Sequence, residues 1–316
     1  MSGTGTRTFE PEARVIRRWI DEADRVLIGA GAGLSADAGV DYTDEVAFAH
    51  MFPALVKRGL KAPYQMIGYS SLPPEAFWGY WLMHVASVRF SDGRRRVYEL
   101  LFDLVRDKDW FVLTSNVDAL FARNGFDPDR VCSIQGDFAF LQCYTPCSDD
   151  LWPSAPVIER LLPEIDPERQ ALSDPSLVPT CPRCGGSVFF NVRGGHWFVE
   201  SPWRRQFDTL REWLSSASND RLLVLDVGSG FNTPGVVRWP MERTARAIPS
   251  ARFVRINRHE PELRVDLGDR AITVAGGALE VLDQVTVAGA ASSKETARVL
   301  DATGQSVHRE PGERSR

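Results

Sequence analysis

Apolar residues recur along the chain in two rhythms, and their alternation gives the first reading of the fold. Between Phe9 and Ala23, Val15, Ile16, Trp19 and Ile20 stand among charges at the spacing of one helix face. Short unbroken apolar runs begin at Val26–Ile28 and recur at Trp110–Thr114, Val131–Ile134, Leu222–Val227, Arg252–Ile256 and Ile272–Val274. Their length and texture predict strands buried on both faces. Helical spacing returns between them over Arg94–Asp107, Arg204–Ser215 and Val236–Ala247, and again from Ala278. Strands alternating with helices predict an α/β, Rossmann-like fold built on a doubly wound parallel sheet.

Two stretches break this rhythm. Residues 45–92 are rich in aromatics, including Phe48, Phe52, Tyr64, Phe77, Trp78, Tyr80 and Trp81, and are punctuated by Pro53, Pro63, Pro73 and Pro74. The prolines mark helix starts and breaks and predict a small helical subdomain, with the aromatics as its core rather than a cofactor cage. Residues 138–201 lose periodicity as proline and cysteine accumulate, which predicts an inserted module with little core of its own. The expected division is a nucleotide-binding domain from 1–137 and 202–288, the module between them, and a flexible tail over 289–316, where Ser, Arg, Glu and Gly predominate.

Composition narrows the function. A chain of 316 residues can bury a sizeable core, and a net charge of −5 supplies no field to steer nucleic acid or anionic lipid. No apolar run is long enough to span a bilayer and the start lacks a signal-peptide core, so neither nucleic acid nor membrane is an expected partner, and a cytoplasmic location is expected. The five cysteines include two close pairs, Cys143 with Cys147 and Cys181 with Cys184, the second followed by Gly185 and Gly186. Two such knuckles can close a tetrahedral four-thiolate zinc site, which is structural because no position stays open. Cys132 has no paired partner and reads as a small buried hydrophobe.

The strand-like run before Gly29, Gly31 and Gly33 resembles a turn that lets phosphate approach the backbone, although glycines at a strand end also serve packing. Asn116 and Asp118, just past another strand, read by themselves as helix caps. Their order is more specific than either alone. The glycine loop with Ser35 and Gly39, then Thr114-Ser115-Asn116-Val117-Asp118, Gln135-Gly136 ahead of the first cysteine knuckle, Gly228-Ser229 and Ile256-Asn257 together resemble the sirtuins over about Arg25 to Val285. The resemblance implies NAD as co-substrate and a small zinc domain. It also implies that Gly31, Ala32, Gly33 and Ser35 hold the pyrophosphate, Asn116 and Asp118 line the nicotinamide and its ribose, and Gly228, Ser229 and Asn257 hold the adenosine half.

Two departures redirect that expectation. Most sirtuins carry a histidine base where this chain has Gln135, whose amide has no usable pKa. Losing a general base costs about 10² to 10⁴ in rate, enough to displace deacylation as the main activity. The Pro-Asp-Phe-Arg usual after the glycine loop is replaced by Asp41-Tyr42-Thr43-Asp44, so the family's arginine has no counterpart. Transfer of ADP-ribose needs orientation and electrostatic support rather than a base on the ribose, and Asn116 with Gln135 could supply it.

The run from Ser133 to Cys143 and the loop Gly228-Ser229-Gly230-Phe231-Asn232-Thr233-Pro234-Gly235 look like the macrodomain-linked branch of the family. That likeness implies a protein ADP-ribosyltransferase, a lipoylated glycine-cleavage-H-like carrier as acceptor, a macrodomain hydrolase as functional partner and a role in oxidative-stress response. An NAD glycohydrolase, a weak deacylase and an inactive NAD-sensing scaffold are the alternatives. His50, His84, His196, His259 and His308 show no paired spacing and receive no role, while Arg193, Arg204 and Arg205 could face an acidic acceptor or simply solvate the module.

Overall fold

The computed structural model describes residues 8–217 and 220–290. Its central sheet has six parallel strands in the spatial order Ala271–Val274, Arg252–Ile256, Leu222–Val227, Arg25–Ala30, Asp109–Thr114, Val131–Ser133. Arg25–Ala30 lies in the middle, with Gly29 opposite Leu113 on one side and Asp226 on the other. The chain runs outward in one direction through the second and third strands, then returns to build the other half. The crevice beyond the carboxyl ends of Arg25–Ala30 and Leu222–Val227 is therefore the switch point at which such sheets receive ligands.

Alternate residues of the central strand feed opposite cores. Val26, Ile28 and Ala30 pack with Ile16 and Ile20 of the helix Glu10–Glu22 and with Leu100, Leu101 and Leu104 of the helix Arg96–Val105. Leu27 faces the other way and packs with Phe111, Val224 and Phe253 against Leu210 of the helix Ser201–Ser216 and Met241 and Ala245 of the helix Arg238–Ala247. Helices on both faces explain why the strands read as continuous apolar runs. Residues 278–290 are helical, so 289 and 290, expected in the tail, still belong to an element; the rest of that predicted tail lies outside the described residues.

The helical subdomain and the inserted module form a second lobe with one common interior. Phe48, Phe52, Trp78, Tyr80 and Trp81 from the first pack with Phe138, Leu141, Phe189 and Phe190 from the second. The aromatics are core, as expected, and the module, expected to have little core of its own, shares this one. Its strands Gly136–Cys143, Trp152–Pro153 and Val188–Val192 form an antiparallel sheet whose apolar face is covered by the helix Pro74–Arg89. A hairpin of Ile165–Asp166 and Ala171–Leu172 grips the subdomain from outside: Gln170 Nε2 donates to the Met51 carbonyl at 2.7 Å and its Oε1 accepts from Ala54 N–H at 3.0 Å. Gly79 makes that approach possible, since a Cβ there would lie 2.1 Å from the Gln170 carbonyl oxygen.

At the switch point two glycine turns interlock. Gly31 N–H donates to the Val227 carbonyl at 3.1 Å and Gly33 N–H to the Gly228 carbonyl at 3.0 Å. A Cβ on Gly33 would lie 2.8 Å from Gly228 Cα, and one on Gly228, at φ 69°, would lie 2.3 Å from Leu34 N. Gly228→Ala should therefore lower stability by at least ~1–3 kcal/mol from backbone strain alone, read as a drop in melting temperature. A variant that melts with the wild type would show that the turns do not depend on this contact.

Candidate active site

The residues singled out in the sequence converge on the crevice. The strand Asp109–Thr114 delivers Thr114, whose hydroxyl donates to the Ala30 carbonyl at 3.1 Å and accepts Asn116 N–H at 3.0 Å. This brace turns the chain so that Asn116 Nδ2 donates to the Gly31 carbonyl at 3.1 Å. Asp118 is buried, accepting the Ser35 hydroxyl at 2.6 Å and Leu120 N–H at 2.9 Å. The N-cap of the short helix Leu120–Arg123 is Ala119, and Asp118, one residue earlier, accepts the helix's first N–H while also joining the glycine loop. Asn116 takes no such cap. Ala119, between the site and this helix, holds a left-handed φ of 53°, a strained conformation that fixes the aim of Asp118.

Burial raises the Asp118 carboxyl above its ordinary range, and the bonds from Ser35 and Leu120 oppose that rise. Tyr98 closes the back of the site with its hydroxyl 3.4 Å from Ser35 Oγ; burial and the nearby Asp118 charge push its phenol up. Gln135 stands at the entrance to the second lobe, 8% exposed. Its backbone carbonyl accepts Arg193 N–H at 2.8 Å, and the next residue, Gly136, has φ 93° and lies against Asn191 and Phe198. The side-chain Oε1 of Gln135 is buried without a partner, an uncommon state that marks a place for a ligand's donor.

Around the glycine turns the donors are arranged differently from a simple phosphate cradle. Gly31 and Gly33 give their N–H groups to the opposing turn, and Ser35 gives its proton to Asp118. Gly228 and Ser229 form that opposing turn, with the Ser229 hydroxyl donated inward to Asp226 at 2.7 Å. Asn257 holds the same turn, donating to the Ser229 carbonyl at 2.9 Å and accepting N–H groups of His259 and Glu260.

Beneath it lies a buried ionic cluster that the sequence reading missed. Asp226 receives Arg255 Nη2 at 2.7 Å, Arg255 Nη1 reaches Glu242 at 2.7 Å, and Arg238 donates to the Ser229, Glu260 and Glu262 carbonyls. A lone Asp ending the run Leu222–Val227 and a lone Arg within Arg252–Ile256 were the available signals. Burial raises the Asp226 carboxyl while the Arg255 guanidinium pulls it back.

Away from the crevice, the four knuckle cysteines meet as predicted. Their sulfurs all lie within 4.8 Å of one another, with Cys143 to Cys184 and Cys147 to Cys181 each 3.7 Å apart. Tetrahedral zinc with Zn–S of about 2.3 Å needs sulfurs about 3.8 Å apart, so this donor set fits the metal. The second knuckle is shaped by Cys181 N–H donating to the Gly186 carbonyl and Gly185 N–H to the Cys181 carbonyl. Cys132 is buried in the core.

No family model matches the chain. Among solved structures, one described as the structural basis for the mechanism and regulation of Sir2 enzymes superposes with a TM-score of 0.58 at 20% identity, covering 89% of this chain and 98% of that one. The chain has the sirtuin fold. Two curated relatives are similar in sequence. A probable bifunctional ADP-ribose hydrolase/ADP-ribosyltransferase of Fusarium oxysporum f. sp. cubense is 38% identical over 232 residues, 72% of this chain. A protein ADP-ribosyltransferase of Staphylococcus aureus is 27% identical over 267 residues, 83% of this chain and 82% of its own length. The chain spans 39% of the fungal protein's length. Within the sirtuin fold, hydrogen bonds join the interlocked turns to Asn116 and Asp118, and the strand that follows Gln135 is tied to the same loop by Phe138 N–H donating to the Val117 carbonyl.

Two measurements test this description. Cys181→Ser should release bound zinc and lower the melting temperature, and an unchanged zinc content by elemental analysis would refute the ligand set. His84, on the helix Pro74–Arg89, is held by burial at about 4 against an ordinary 6.5. The folded state keeps it neutral, so its contribution is full above pH 6.5 and is lost as pH falls from 6.5 through about 4, up to ~3 kcal/mol. The stability advantage of wild type over His84→Gln should shrink across that window when melting is followed against pH.

Proposed function

We propose that this chain is an NAD-dependent protein ADP-ribosyltransferase. The observation that carries the reading is Gln135: a buried amide with an unpartnered oxygen stands where the sirtuin likeness puts the deacylase base, while Asn116 and Asp118 are retained and bonded to the glycine loop. NAD supplies an ADP-ribosyl group on a leaving nicotinamide. Asn116, braced by Thr114 and Gly31, orients the nicotinamide ribose, and Gln135 accepts a ribose hydroxyl proton in a hydrogen bond without removing it. Asp118, locked by Ser35, contacts the nicotinamide end and faces the positive charge that develops as the glycosidic bond loosens.

Gly31, Ala32, Gly33 and Ser35 adjoin the pyrophosphate, while Gly228, Ser229 and Asn257 shape the adenosine end. The Ser229 hydroxyl is turned inward to Asp226, so Ser229 fixes the shape of that turn. Support comes also from the two relatives named as ADP-ribosyltransferases. The protein acceptor we favour is a lipoylated glycine-cleavage-H-like carrier, with a macrodomain hydrolase as the opposing enzyme and a cytoplasmic, oxidative-stress setting. The fungal relative's name, which joins a hydrolase to a transferase, agrees with that pairing.

Incubation with NAD and the lipoylated carrier should add one ADP-ribose mass to the carrier by intact mass spectrometry. Asn116→Ala should reduce that transfer at least 100-fold with little loss of stability, since its side chain is only partly buried. Equal transfer by the variant would undo the site assignment. Nicotinamide release with no mass gain on the carrier would favour NAD hydrolysis instead.

A further inference from the structure

Two features stand outside the site so far, the segment Asp41–Asp44 and His84, and the fold brings them together. Tyr42 Oη lies 3.2 Å from His84 Nε2, and their rings meet edge-on with centroids 5.3 Å apart. His84 is buried on the helix Pro74–Arg89, stacked on Tyr80 at 5.3 Å and edge-on to Phe138 at 6.0 Å. Phe138, three residues beyond Gln135, donates its N–H at 3.2 Å to the carbonyl of Val117, which stands between Asn116 and Asp118. His84 therefore joins the replaced loop to both walls of the reacting end.

The segment itself is tightly ordered. Asp41 Oδ1 accepts Thr43 N–H and its hydroxyl at 2.7 Å each, and Asp44 Oδ1 caps the helix Glu45–Met51 through Val46 and Ala47. The Tyr42 carbonyl accepts Tyr64 N–H at 3.0 Å, and Val40 packs against the interiors of both lobes. Burial and the Asp118 charge raise the Tyr42 phenol, so it stays protonated, and His84 stays neutral and able to accept.

We propose that Tyr42 is a positioning residue, clamped by His84, that holds the Asp41–Asp44 segment closed beside Asn116, Asp118 and Gln135 and so favours capture of ADP-ribose by the protein acceptor over capture by water. The inference rests on the transferase reading. In either outcome the bond from the ribose carbon to the nicotinamide nitrogen breaks, its electron pair leaving with nicotinamide. That carbon then bonds to a nucleophilic side-chain atom of the acceptor or to a water oxygen, whose proton passes to solvent. Tyr42 takes part in neither bond; it sets how much water reaches the carbon.

Tyr42→Phe removes one oxygen and keeps the ring. Amide hydrogen exchange over residues 40–66, measured without NAD, should accelerate about tenfold in the variant, as expected for one lost, partly buried hydrogen bond. With NAD and the lipoylated carrier, the ratio of carrier-bound to free ADP-ribose should fall at least fivefold while total nicotinamide release changes less than twofold. His84→Leu, which removes the acceptor, should reproduce both effects. Unchanged exchange, or faster exchange with an unchanged product ratio, overturns the proposal. A wild-type protein that never labels the carrier overturns the transferase reading instead.

Discussion

The contact between two glycine turns governs the rest of the molecule. Because Gly33 and Gly228 bring bare backbone so close that a Cβ on either would clash with the opposite turn, the ends of the two central strands share hydrogen bonds. Any side chain at these points would wedge the halves of the sheet apart and open the crevice at the switch point. That closeness also determines what each loop has left to offer. The Gly31 and Gly33 amides are spent across the contact, and the Ser35 and Ser229 hydroxyls are committed to carboxylates.

Support for this contact comes from an unusual quarter. Arg238 and Arg255 are buried, and Arg255 pairs with both Asp226 and Glu242. Such a cluster is costly to desolvate and gives little net stability over an apolar equivalent. Its carbonyl bonds span Ser229, Glu260 and Glu262, so it orders the loops that follow two strands rather than simply filling the sheet face. An apolar core could pack as well, but it could not hold three carbonyls in register.

The sheet was legible because strands buried on both faces leave long apolar runs, and the zinc site because four thiols need two fixed knuckle spacings. Asn116, Asp118 and Gln135 were legible through their order along the chain rather than through any local pattern. What escaped was carried by contacts between distant residues. Nothing local distinguishes His84 from a core histidine, and only the fold reveals Tyr42 at its ring. Asp226 and Arg255 read as interruptions of good strands, since a single sequence does not display that one charge answers the other 29 positions later. The common interior of the second lobe was hidden for the same reason, its halves being separated in the chain by two strands of the central sheet.

That common interior has a consequence for how the chain can be divided. The lobe carrying the zinc knuckles is assembled from two stretches, residues 45–90 and 136–199, and neither encloses its own aromatic centre. Neither stretch alone reproduces it. Damage at the knuckles would therefore spread along Phe189 and Phe190 into Trp78 and Trp81, and from that helix to the wall of the crevice. The metal sits outside the chemistry, yet the shape of the reacting end is underwritten from there.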